Sequence, residues 1–566
     1  MREGPHALNP RDTTGTAGPP ADVTAPSPPA GRISRVSTRR VILAGLVLAG
    51  IALRVWSMAR ANWMIDGDEA TFGLMARHIL HGERPVFLYG QPYMGSLQAY
   101  LGAVFFAIFG MSRTAFKAVT FIEFIAFAAS VYLLARRVAG SRAAVIATAF
   151  VALPPVYVLS ATARLWGPLL DAMTLGNLIL LLAIDEAYPP SVFPPRRRWV
   201  RYLLMGVFAG FGFWLHGQIA TYVAAAAIIL VLHDKRVLIR PGLIAAAVVG
   251  FAVGAAPVLE FARTHEYTTF HHLLGIGAER QHGDYVEVAK FFFRVNLPRV
   301  LGVANAWAPL PYWLKLLGAV AIAALVIAVI VQRRAGFLDW LRLSLRRGQP
   351  IDALFLFCAV VTLSFIFSAF GDLALQFQSF DATGRYAIPL VSAVPIILAV
   401  GILQVERWVR ALGWALGALI LAVSLAGYVT APPEQVWQSA YWRNLPPSST
   451  ELVAALDELG VDAVWMNHWA GKPLMFDTEE RIAAADYYDL AIGHGIDRLP
   501  AATARVHASP RPAYVFTTDQ TDLPIEDWLE AHGIGYDKRV VPGYVVIYPH
   551  ERVDPAEVVD FLGYDW

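Results

Sequence analysis

Twelve apolar runs between residues 41 and 430 constrain this chain more than any other feature in it. They lie near 41–58, 96–110, 115–135, 143–160, 169–184, 201–216, 218–232, 242–262, 313–331, 353–371, 386–404 and 411–430. A soluble domain carries roughly 25% charged residues, whereas here 16% are charged and 56% are hydrophobic. The runs therefore predict a mainly α, polytopic membrane bundle.

Basic loops set the register. Lys and Arg prefer the cytoplasmic side of a membrane protein. If all twelve runs cross, Arg136-Arg137 and Arg142 fall outside, together with most later basic loops. If 96–110 lies on the surface instead, five basic loops return to the inside. They hold Arg136/Arg137/Arg142, Arg196-Arg197-Arg198/Arg201, Lys235/Arg236/Arg240, Arg333-Arg334/Arg342/Arg346-Arg347 and Arg407/Arg410. The run 96–110 is also short for a span, which needs about 20 residues. The prediction is about eleven spans, an uncleaved first helix and outer juxtamembrane helices.

The domain plan follows. Residues 1–38, rich in Pro, Ala, Thr and Gly, read as a disordered cytoplasmic tail. Residues 39–431 form the membrane domain, with a first outer loop at 61–114 and a second long one at 263–312. Residues 432–566 form an extracytoplasmic domain after the breaks Pro432-Pro433 and Pro446-Pro447. From Glu434 onward there are 9 Lys and Arg against 22 Asp and Glu, a net of about −13, which leaves about +15 on the rest. Strand-like Val461–Met466, Ala513–Thr517, Val540–Val541 and Tyr544–Tyr548 alternate with helical Leu452–Leu459 and Ile525–His532. That alternation predicts a small α/β domain. It shows no phosphate-binding loop and no catalytic set, so binding or structural support is its expected role. Cys358 is the single cysteine, which excludes an intrachain disulfide and a thiolate metal site.

The first outer loop carries the chemistry. Asp66-Gly67-Asp68-Glu69 places three carboxylates within four residues beside a membrane, where ionisable groups are costly and tend to be functional. Phe72, Met75, Ile79 and Leu80 recur at helical spacing after them, predicting an amphipathic helix along the membrane face. Asp68 and Glu69 would stand in its first turn, favoured by the helix dipole. In the second loop, His265-Glu266 and His271 do not have HExxH spacing, and interfacial histidines explain them more simply than metal ligands. Glu260 reads either as facing the same cavity or as interfacial.

An acidic pair after the first span is followed here by Gly82-Glu83-Arg84-Pro85 and Tyr89-Gly90-Gln91-Pro92-Tyr93. Next come a surface helix ending Phe109-Gly110-Met111-Ser112 and then Lys117. This order resembles the lipid-linked-sugar glycosyltransferases of the C superfamily. The branch it looks most like is glycosyltransferase family 39, with its protein O-mannosyltransferases and the aminoarabinose transferase acting on lipid A. The resemblance covers about 61–190 well and fades toward 430 and the tail.

The resemblance implies a sugar moved from a polyprenyl-phosphate carrier to an acceptor hydroxyl on the outer face of the cytoplasmic membrane, with inversion. Asp68 matches the family's acidic residue and would take the acceptor's proton. Glu69 and Asp171 would orient the acceptor, although Asp171 reads equally as a helix cap after Pro168. Lys117, Arg385 and Tyr386 would hold the donor phosphate, with an interfacial anchor as the other reading of Arg385-Tyr386. Tyr89, Gln91, Tyr93 and His271 are weaker candidates for acceptor or sugar contacts. Family members differ on metal dependence, so a divalent cation stays open. The implied partners are the lipid-linked donor, membrane lipids and a lipid, glycan or protein acceptor. A flippase of a lipid-linked intermediate and a non-catalytic scaffold with an outer binding domain are the rival readings.

Overall fold

A computed structural model describes residues 38–562 apart from 189–196, 266–268, 271–283, 342–346, 369–370, 372–373, 376–382, 440–441, 443 and 487–496. The N-terminal tail, Glu266, His271, Glu279-Arg280-Gln281-His282 and most of loop 372–385 thus lie outside the described residues.

The body is helical. Five helices are long and apolar enough to cross a membrane, and up to seven spans result if each bent pair counts once. The five are Thr38–Ala59, Arg113–Ala152, Tyr312–Asp339, Pro350–Phe367 and Arg410–Thr430. The expected eleven spans are not confirmed by this measure. One physical reason is length: Ile219–His233 has 15 residues, short of the roughly 20 a straight span needs. Another is bending. Pro241–Gly254 meets Ala256–Thr264 at 65°, and the separate runs 115–135 and 143–160 count once, as Arg113–Ala152, although Gly140, at φ +83°, breaks the helical path between them. Two helices, Arg198–Leu215 and Pro241–Gly254, approach backbone to backbone. A Cβ on Gly206 or Gly250 would stand 2.1 Å from a carbonyl oxygen of the other helix, the close approach that small residues four apart allow.

Ion pairs gather the basic loops at one end. Arg137 and Arg201 face Asp185, and Arg201 and Arg198 face Glu186. Arg198 and Arg240 share Asp234, and Arg142 meets Glu406. The three carboxylates of the first outer loop sit apart from this layer, packed against the C-terminal residues.

The first outer loop is more enclosed than its periodicity suggests. Gly67–Leu80 forms the expected helix, but residues 67–76 are buried on every side. The helix is sandwiched between Leu97–Phe109, the surface helix read from 96–110, and the C-terminal helix His468–Asp477. A two-stranded antiparallel hairpin, β1 (Phe87–Leu88) and β2 (Gln91–Gly95), closes the loop.

The C-terminal sheet has five strands: β3 (Ala463–Met466), β4 (Ala483–Ala485), β5 (Ala513–Phe516), β6 (Tyr536–Val541) and β7 (Tyr544–Pro549). Their order is β4-β3-β5-β7-β6. The first three strands run parallel, and β7 pairs antiparallel with both β5 and β6. Four of its strands are buried, with Val464, Val515 and Val545 fully enclosed, while the edge strand β6 is partly exposed. One continuous apolar core joins this sheet to the first outer loop, and a second fills the helical body.

Candidate active site

Asp66 is the N-cap of the acidic helix. Its carboxylate accepts from the Glu69 amide at 3.0 Å, which fixes the turn that presents Asp68 and Glu69. Arg164 donates to Asp66 at 3.3 Å and also to the carbonyls of Val436 and Gln438 at 2.8 and 2.7 Å. The start of the C-terminal segment is thereby tied to the carboxylate turn. Burial, with Glu69 beside it, pushes the Asp66 carboxyl up to about 7 against the pull of Arg164.

Each carboxylate faces a different cation. Glu69 accepts from Lys117 at 2.5 Å and from the Leu165 amide at 2.9 Å, both on Oε1. Lys117 and Glu69 are fully buried, and Lys117 lies 4.8 Å from the centre of the Trp437 ring. Lys117 was expected to bind donor phosphate, but its ammonium is enclosed by Glu69 and Trp437. Asp68 instead faces Arg498, Nη1 to Oδ1 at 2.6 Å, and His468, Nε2 to Oδ1 at 3.9 Å. Burial raises the Asp68 carboxyl, but Arg498, His468 and Arg385 together outweigh it and hold it below the usual carboxylate range. Burial also lowers His468 to about 4, so its imidazole is neutral at pH 7.

The other expected residues divide. Arg385 stands over Trp166 at 5.0 Å and close to Tyr386, whose ring is 6.1 Å from that of His216. Tyr93 lies in the same field, beside Tyr386, Arg385, Asp68 and Arg498, and burial pushes its phenol up to about 12. Asp68, Tyr93, Arg385 and Tyr386 are thus brought together. Gln91 is on the same strand, with a buried amide oxygen. Tyr89 is not in this group: its hydroxyl donates to Glu83 at 2.5 Å and meets His78 at 3.0 Å. His78 in turn contacts Glu480 at 3.0 Å, so Tyr89 belongs to a clamp onto the C-terminal domain. Asp171 hydrogen-bonds with Glu123, whose other contact is Gln98 at 2.8 Å. Glu260 is exposed and paired with Arg263 at 2.7 Å, not directed into a cavity. Among the described residues no group of three or more His, Cys, Asp or Glu could hold a metal ion.

His468, Arg498 and Glu480 come from the domain that showed no catalytic set in sequence. Helix His468–Asp477, capped by Asn467, packs directly on the acidic helix. A Cβ on Gly67 would stand 2.8 Å from both the His468 ring and its carbonyl oxygen, and one on Gly73 would stand 2.4 Å from the Phe476 ring. Gly67→Ala is therefore expected to cost about 1–3 kcal/mol by overpacking. It should also push His468 off Asp68, seen as a lower thermal midpoint in detergent and a loss of turnover together. Sequence periodicity carried no sign of this contact. Glu123, by contrast, is a lone carboxylate in an apolar run, a signal that pattern alone could have raised.

Residues 93–261 match the family model described as dolichyl-phosphate-mannose-protein mannosyltransferase. The fold of the chain is that of ArnT from Cupriavidus metallidurans. The structure of ArnT bound to undecaprenyl phosphate aligns with TM-score 0.59 and 13% identity, covering 89% of this chain and 98% of that one. The apo structure gives TM-score 0.58 at the same identity and coverage. The oligosaccharyltransferase AglB from Archaeoglobus fulgidus, in complex with an inhibitory peptide and a dolichol-phosphate, aligns with TM-score 0.48 and 14% identity over 90% of this chain and 74% of that one. No curated protein matches the chain in sequence. The protein is thus multi-pass, with a C-type glycosyltransferase fold.

Proposed function

We infer that the protein transfers a sugar from a polyprenyl-phosphate carrier to an acceptor hydroxyl at the outer face of the cytoplasmic membrane. One observation carries this: the Asp68 carboxylate faces the guanidiniums of Arg385 and Arg498, with the Tyr93 phenol beside them. A carboxylate next to cations is what such a transfer asks for. The acceptor oxygen must lose a proton, and negative charge develops on a departing phosphate. Asp68 is the proposed base, and Arg385 with Tyr386 flanks the donor phosphate. Lys117 acts at one remove, by holding Glu69 in place.

Direct displacement by the acceptor inverts the anomeric centre. A β-linked polyprenyl-phosphate sugar should therefore yield an α-glycoside, read from the anomeric coupling in the product's NMR spectrum. A retained configuration would overturn the single-step reading. The outer location has its own check. With Gln520→Cys on the exposed loop after β5, intact cells should react with a membrane-impermeant maleimide. Labelling only after lysis would put the C-terminal domain inside.

A further inference from the structure

Asp68 can take a proton only if it is basic when the acceptor arrives. Its surroundings oppose that. Asp68 and Arg498 touch at 2.6 Å with both side chains less than a tenth exposed, and His468 stands 3.9 Å from the same oxygen. Arg385 adds positive field. Asp66 and Glu69 on the same helix add negative charge nearby, Tyr93 adds a phenol from β2, and Lys472 stands behind His468. Among the described residues neither Asp68 Oδ1 nor Arg498 Nη1 has a hydrogen-bond partner of good geometry, so their 2.6 Å contact is close but poorly aligned. Such a pair is held chiefly by charge. A phosphate, which a guanidinium can grip with two parallel hydrogen bonds, competes well for it.

We propose that Arg498 is exchanged between Asp68 and the donor phosphate, so that donor binding draws the guanidinium away and only then leaves Asp68 a competent base. This rests on the reading that the site takes a polyprenyl-phosphate sugar. The acceptor oxygen then forms its bond to the anomeric carbon and its proton passes to Asp68. The bond from that carbon to the phosphate oxygen breaks, and the electron pair leaves on polyprenyl phosphate, held by Arg498 and Arg385. When that product departs, Arg498 returns to Asp68 and its charge expels the proton to solvent, which resets the site. His468, neutral and on the same carboxylate, is a positioning residue that keeps Asp68 in place during the exchange.

The test is binding of radiolabelled polyprenyl phosphate to the purified full-length protein, joined to pH profiles of transfer. Asp68→Asn removes the competing carboxylate and should tighten binding roughly tenfold, while Arg498→Gln should weaken it by roughly tenfold. A misfolded variant cannot bind more tightly, so the first result is free of that ambiguity. In the wild type, the acidic limb of kcat, which reports the donor-bound state, should lie at higher pH than that of kcat/KM, which reports the free enzyme. In Arg498→Gln the two limbs should merge. If the wild type binds and transfers but Asp68→Asn binds no more tightly and the wild-type limbs coincide, the exchange is overturned and the donor reading stands. If the wild type binds no polyprenyl phosphate, both are overturned.

Discussion

Asp68→Asn is expected to lower kcat by roughly a hundred- to ten-thousand-fold, the usual contribution of a general base. Three carboxylates crowd this turn, and the structure separates them. Asp66 is 1% exposed, caps the helix and is held by Arg164; Glu69 is 0% exposed and is held by Lys117 and the Leu165 amide. Asp68 is 6% exposed and shares its surroundings with Arg385 and Tyr93. It is the most exposed of the three, and so the one proposed as the base. Asn has the same size and still accepts a hydrogen bond, so the helix turn survives, but it cannot take up the proton. Initial rates with a labelled lipid-linked sugar measure the effect. Activity within a few-fold of wild type would move the base elsewhere.

Lys117→Met is expected to destabilise the protein by about 3–5 kcal/mol, because it strands the Glu69 carboxylate in the interior. Both groups are fully buried, and Glu69 Oε2 has no hydrogen-bond partner among the described residues. The lysine is thus the main compensation for that charge. Adding Glu69→Gln should restore most of the loss, since removing both charges of a buried pair is often close to neutral. Thermal midpoints in detergent for the two singles and the double test this as a cycle. If Lys117→Met keeps the wild-type midpoint and loses only donor affinity, Lys117 is a phosphate ligand and not a brace for Glu69.

Much of this was legible in the sequence for physical reasons. Carboxylates at a membrane edge are costly enough to mark themselves, so Asp68 stood out without a structure. Alternation of short β-branched runs and helices foreshadowed the sheet. Strand β3 begins at Ala463 instead of Val461, and the turn at Pro542-Gly543 joins longer strands than expected. The joining of the two parts was not legible. Arg498 and His468 lie about 400 residues beyond Asp68, in a segment whose local pattern says only that it folds. Their place depends on a helix pair brought close by Gly67 and Gly73, and no periodicity encodes such a contact. Lys117 was noticed for its type and position, but its partner could be seen only once the spans were packed. Span length failed as a counter for a related reason: the bent pair at Gly254–Ala256 breaks a run that sequence alone reads as continuous, while the separate runs 115–135 and 143–160 count as one segment across the kink at Gly140.

The most direct measurement is release of label from a panel of radiolabelled polyprenyl-phosphate sugars, using purified wild type and Asp68→Asn side by side, with host membranes as the acceptor source. The proposal predicts that the wild type consumes at least one donor and passes its sugar to an acceptor, while Asp68→Asn leaves it intact. If no donor is consumed, or the variant consumes it equally well, the site is not the transferase centre described here.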